Sequence, residues 1–238
     1  MPYYYGFDWT YIAIVLPCIL LSLWASASVK STFNRYAKQY SSRRITGADA
    51  ARRVLYANGV SGVRIEQVSG QLTDHFDPRT NVIRLSDNVF SSTSTAAIGV
   101  ACHEAGHAVQ YAKHYAPIKL RAAIIPVTNI GSKLAMPLIL LGLVLSYAGN
   151  FSYTLVYLGI ACFSLSVVFQ LITLPVEFNA SRRAMQAIDE AEILTRDERI
   201  GARKTLTAAA MTYVAALAVA FAQLLRLIIL FGGRRRRD

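Results

Sequence analysis

From Leu134 to Val176 the chain runs 43 residues without a single charged side chain. About 20 mostly apolar residues cross the hydrocarbon core of a bilayer as a helix. This run is therefore long enough for two crossings, and Gly149-Asn150 breaks it where a tight turn would join them. Buried core helices are the competing reading, but a soluble core does not need an uninterrupted run this long. Trp9–Val29 is also charge-free, as is Thr205–Leu225, after which Arg226 interrupts and Leu227–Phe231 continues to Gly232-Gly233. Four spans are expected, at about 9–29, 134–149, 153–175 and 205–231. Polar segments 30–133 and 176–204 lie between them, and together these parts form one membrane-embedded domain over 1–238. A composition of 54% hydrophobic and 16% charged residues excludes intrinsic disorder. The 3 cysteines, Cys18, Cys102 and Cys162, are too scattered for a disulfide framework.

The charge balance is 25 Lys+Arg against 14 Asp+Glu, a formal +11. Residues 1–29 carry no Lys or Arg, which a secretory leader needs ahead of its apolar run, so the first run is read as a retained span. The segments Lys30–Lys133 and Glu177–Lys204 hold fourteen and six basic residues, and the turn at Gly149-Asn150 holds none. Both basic segments then face the cytoplasm of a multi-pass protein of the cell membrane. Arg234–Arg237 would end outside if the fourth helix crosses fully. That basic tail has no interleaved aromatics, and nucleic acid is not an expected partner.

Within the first polar segment, Thr46 is expected to cap a helix through about Ala57, with Asp49 favourable in its first turn. Val63–Val68 alternates apolar and polar residues as a half-buried strand does, and Asn81–Ser86 reads as a second strand. The two are expected to pair as an antiparallel ribbon across a turn-rich Leu72–Arg79. If Asn81–Ser86 lies at an edge, it could accept an extended peptide. A helix is expected from Thr95 to Tyr115, before Pro117.

That helix carries His103-Glu104-Ala105-Gly106-His107, an H-E-x-x-H. Histidines four apart leave one helix face about 6 Å apart along the axis, which suits two nitrogen ligands on one Zn²⁺. Glu104 lies about 100° round from His103, where it can act on water as a general base without being a ligand. The flanks Ala96–Cys102 and Ala105–Val109 are apolar, and two buried histidines with a buried Glu would be costly without a metal. A catalytic zinc needs a third protein ligand and an open position. Gln110 and Lys113 stand where a metzincin would have Gly and His, which excludes that class. His114 is about 10.5 Å along the helix from His107, too far to share the metal. Glu177, the first charge after the long apolar run, is the outstanding candidate. The competing reading pairs it with Arg182 or Arg183 at the membrane interface. Asp74-His75 could place an oxyanion-stabilising donor near the metal, or could be an Asx turn with His75 as a structural hydrogen bonder.

VACHEAGHAVQ, TDHFDPR with the following VIRLS, and LPVEFNASRRA, taken in that order, resemble the bacterial neutral zinc metallopeptidase family of membrane proteins typified by YugP. The likeness runs from about residue 24 to 215. Its layout is similar to that of the HtpX-like membrane gluzincins. The resemblance implies zinc held by His103, His107 and Glu177, with Glu104 as base. The chain departs from the wider gluzincin pattern at Ser181, where an Asp would stand; Ser181 can still hydrogen-bond a ligand histidine, more weakly.

The fold expected is a mainly α membrane protein of about four transmembrane helices, a zincin-like helical domain and a small two-stranded β-ribbon. The function expected is a membrane zinc metalloendopeptidase acting on a protein or peptide, with the lipid bilayer as its surroundings. A regulatory membrane partner and a homo-oligomer are left open. Two alternatives stand beside it. A non-catalytic scaffold with structural zinc would not need Glu104. A site-2-type intramembrane protease needs a ligating Asp within a span, and none of the four spans has one.

Overall fold

The computed structural model describes residues 8–145, 147 and 149–232. The protein is mainly helical, with four helices among the described residues long and apolar enough to cross a membrane. A π-helical turn, Tyr11–Val15, leads into α1 (Leu16–Tyr36). Then come α2 (Gly47–Ala57), β1 (Arg64–Val68), β2 (His75–Asp77), β3 (Val82–Ser86), α3 (Asp87–Phe90), α4 (Thr95–Ala112), α5 (Ala116–Val144), α6 (Asn150–Glu190) and α7 (Glu198–Gly232). The chain forms two compact units. One takes the chain up to Trp24, Leu120–Thr173 and the part from Tyr213 onward; the other takes Ala25–Lys119 and Leu174–Thr212.

The first unit is a bundle of apolar helix segments. In its spans at most 22% of the most apolar window is buried, and Leu20, Leu140, Leu158 and Phe221 are exposed. So large an apolar exterior suits lipid rather than water. Between lipid-facing helices small residues allow close backbone approach. A Cβ on Gly159 of α6 would come within 2.8 Å of the Ala135 carbonyl oxygen of α5. Arg226, the one charge in the fourth apolar run, donates to the Asp8 carboxylate and lies over the Tyr11 ring. The end of α7 therefore lies beside the start of the first apolar helix within this unit. Residues Arg234–Arg237 fall outside the described residues.

The second unit has a conventional packed core. Thr46 caps α2 by accepting from the Asp49 N–H, and Ser94 caps α4 by accepting from the Ala97 N–H. α4 is apolar on nearly every side, with Ala97, Ile98, Ala101, Ala105 and Val109 fully buried, so it runs through the middle of the core. It stops at Ala112, and His114 follows in left-handed backbone (φ 56°). Thr195 and Glu198 form a reciprocal cap at the start of α7, and the Glu198 carboxylate also accepts from the Ser42 N–H.

The strands correct the ribbon expected from sequence. The sheet has three strands in the order β1-β3-β2. β1 pairs with β3 in parallel, with Arg64 opposite Val82, and it is β2 that pairs antiparallel, with His75 opposite Arg84. The reversal lies at Asp77–Asn81. Asp77 accepts from the Arg79 N–H and the Thr80 hydroxyl, and Asn81 takes positive φ (55°). This turn makes β2–β3 the hairpin and leaves β1 running the same way as β3. Val82, Ile83 and Leu85 are all fully buried, as a central strand requires. β3 is thus no edge for a peptide; the edges are β1 and β2.

Candidate metal centre

α4 and α6 carry the site, and Gly106 sets how closely they approach. A Cβ there would stand 2.7 Å from the Ala180 carbonyl oxygen. Glycine lets α6 lie directly on the histidine-bearing face of α4, and Glu177, one turn before Ala180, then reaches both imidazoles. Glu177 Oε2 is 3.3 Å from His103 Nε2 and 3.5 Å from His107 Nε2. The imidazole rings stand 4.7 Å apart at 85°. Ligand atoms of all three residues lie within 4.8 Å of one another.

This geometry fits a metal on its own terms. Zinc bonds of about 2.0–2.1 Å in a tetrahedron put neighbouring ligand atoms about 3.3 Å apart, close to the 3.3 and 3.5 Å that separate Glu177 from the two histidines. Two nitrogens and one oxygen are a donor set that zinc accepts. His107 and Glu177 are buried, and His103 is half-buried. A buried carboxylate set against the Nε2 atoms of two imidazoles, with a proton held on each Nδ1, suits a cation between them.

The far side of the His107 ring fixes which of its nitrogens is free to face inward, and that of His103 allows the same arrangement. His103 Nδ1 stands 3.1 Å from Ser181 Oγ. His107 Nδ1 stands 3.0 Å from the Gln110 side-chain oxygen. The Gln110 amide nitrogen donates to the Val176 carbonyl at 2.8 Å and to Asn179 Oδ1 at 2.9 Å, so its oxygen must be the atom turned to His107. An acceptor opposite Nδ1 places the ring proton there and leaves Nε2 free to ligate. Asn179 Oδ1 also accepts from Arg183 Nε. Sequence reading missed Gln110, Asn179 and Arg183 as a supporting chain. A Gln three residues after the second histidine lies on the same helix face, and that spacing was the available signal.

The surrounding charges favour a cation. Burial works against a charged His107, but the Glu177 carboxylate at its Nε2 and the nearby Glu104 outweigh it and raise its pKa above the ordinary histidine value. Glu104 is buried on α4 outside the three-ligand cluster. Asp74 is raised above the usual carboxylate range, chiefly by burial and further by Glu104, against the hydrogen bonds it accepts from Ser86. Both the N–H and the hydroxyl of Ser86 donate to Asp74, which ties the carboxylate to the end of β3. His75 is exposed on β2, with its Nδ1 2.7 Å from the Thr73 carbonyl oxygen. The structure does not bring it into the cluster. Phe76, next on β2, packs edge-on against Tyr111 of α4.

The family model described as "Putative neutral zinc metallopeptidase" matches residues 11–232. The chain is 46% identical over 221 residues to a protein of Bacillus subtilis (strain 168) named "Putative membrane protease YugP", covering 93% of this chain and 96% of that protein. No solved structure matches. With a match over nearly its whole length and a His-His-Glu cluster positioned to bind a metal ion, the chain belongs to this neutral zinc metallopeptidase family.

Proposed function

We propose that the chain works as a single membrane-embedded zinc metalloendopeptidase domain of the gluzincin type, with His103, His107 and Glu177 as metal ligands and Glu104 as general base. The observation that carries this reading is the convergence of two histidine nitrogens and one carboxylate oxygen on a point beside a second acid that is not part of the cluster. Zinc supplies the Lewis acidity that polarises a carbonyl and acidifies water. Glu104 takes the proton from the attacking water and returns it to the leaving amine. Ser181 and Gln110 hold the two ligand rings in register. His75 can serve as an oxyanion donor through Nε2 only when protonated, because its Nδ1 faces a carbonyl. An extended protein or peptide substrate would pair on β2, the sheet edge that packs against α4. The basic segments on either side of the two central spans support a site facing the cytoplasm.

The test compares wild type with Glu104→Gln and Glu177→Ala for bound zinc and for casein cleavage in detergent. Glu104→Gln should keep full zinc and lose roughly 10²–10⁴-fold in rate. Glu177→Ala should lose most of its zinc. Equal cleavage by wild type and Glu104→Gln would remove Glu104 as the base. A zinc-loaded wild type that cleaves nothing would favour the structural-zinc scaffold.

A further inference from the structure

Where the second polar segment enters α7, four cations crowd one place. Arg196, Arg199, Arg203 and Lys204 line a cavity of about 520 Å³ together with Ile200 and one acid, Asp197. Within α7, Arg199 and Arg203 stand four residues apart and so share a face, with Lys204 beside them; Arg196 joins them from the turn before the helix. Arg196, Arg203 and Lys204 are exposed. Among the described residues no carboxylate pairs with any of these three. Arg199 is ion-paired to Asp189 through one terminal nitrogen, yet its Nε is buried with no hydrogen-bond acceptor. Beyond Lys204 the same helix carries no charge until Arg226, and Ile200, among the cations, is 52% exposed.

We propose that this cavity binds the phosphate headgroup of an anionic phospholipid. The exposed Arg196, Arg203 and Lys204 supply donors to phosphate oxygens, a pairing that arginine forks favour, and Arg199 adds its charge to the wall. Ile200 offers apolar contact to the glycerol end. The apolar run that starts at Thr205 continues where the acyl chains would lie, which is why a lipid rather than a free phosphate fits. This site is separate in residues from the metal centre and does not depend on the peptidase reading.

The experiment uses the full chain in neutral detergent, mixed with phosphatidylglycerol or phosphatidylcholine, with retained lipid counted by native mass spectrometry. Phosphatidylglycerol should be retained in preference. Arg203→Gln with Lys204→Gln should weaken that retention by about 25-fold, at about fivefold for each cation near a membrane surface. Arg53→Gln with Arg79→Gln removes the same charge from exposed positions outside the cavity and should change nothing. Should the first double variant fail to fold in a thermal melt, Arg196→Gln, in the turn before the helix, makes the same comparison with about a fivefold loss expected. Equal retention of phosphatidylcholine would overturn the proposal, as would an equal loss in the Arg53/Arg79 control. Displacement of the lipid by inorganic phosphate at the same concentration would overturn the lipid as the occupant.

Discussion

At the scale of single residues, the site depends on side chains that never touch the metal position. Gln110 is fully buried; its amide nitrogen donates across to Val176 and Asn179 of α6, and its side-chain oxygen faces His107 on its own helix. Its two functions can be separated by substitution. Gln110→Leu removes both the acceptor for His107 Nδ1–H and the donors to Val176 and Asn179. Gln110→Glu keeps an acceptor for His107 but turns a carboxylate oxygen toward two carbonyl oxygens. Loss of a partner that orients a ligand histidine typically costs about 10–100-fold in metal affinity. Gln110→Leu should therefore show a loss of that order in zinc affinity, measured against a competing chelator, and Gln110→Glu a smaller one. In thermal melts the order should differ, with Gln110→Glu no more stable than Gln110→Leu, because it buries a charge beside unpaired acceptors. If the two variants bind zinc equally, Gln110 is a packing residue and does not orient the imidazole.

At the scale of elements, the metal cluster exists only because two helices can touch at Gly106. Gly106→Ala puts a methyl group against the Ala180 backbone, where nothing flexible can give way. Overpacking of this kind costs roughly 1–3 kcal/mol, and here the strain acts on the spacing between the histidines and Glu177. Gly59→Ala is the control. It meets open space but sits at φ +66°, so it should destabilise without moving a ligand. Zinc affinity should fall in the first variant and hold in the second at comparable loss of melting temperature. Equal zinc affinity in both would mean α6 shifts without consequence for the site. The helices and both histidines were legible in sequence, because a 43-residue charge-free run and a four-residue histidine spacing are properties of one local segment. The sheet was not. β2 is three residues long, too short for alternation to show, and the partner of β1 is decided by the turn at Asp77–Asn81 rather than by β1 itself. The contact of Gly106 with Ala180 joins residues 74 positions apart and leaves no periodic trace in either helix.

At the scale of the whole molecule, each polar segment must face one side of the membrane or the other. Ser42 donates to Glu198, and Arg43 pairs with Glu192, so the stretches around residues 40 and 195 belong to one folded unit and must share a side. The turn at Asn150 lies between the two central apolar helices, which carries it to the opposite side if each crosses once. Basic residues cluster in the segments around 40 and 195 and are absent from the turn, which supports the cytoplasmic side proposed for the former. Tyr40→Cys, Thr195→Cys and Asn150→Cys, each introduced after Cys18 and Cys162 are changed to Ala, test this in intact cells. Cys102 is buried and should stay silent, its thiol held protonated by burial. A membrane-impermeant thiol reagent should label position 150 alone, and breaking the cells should expose positions 40 and 195 together. Labelling of 40 and 195 but not 150 in intact cells would invert the protein and put the metal centre outside. Labelling of 40 without 195 would contradict the contacts that join them, and with those the pairing of Glu177 with the two histidines.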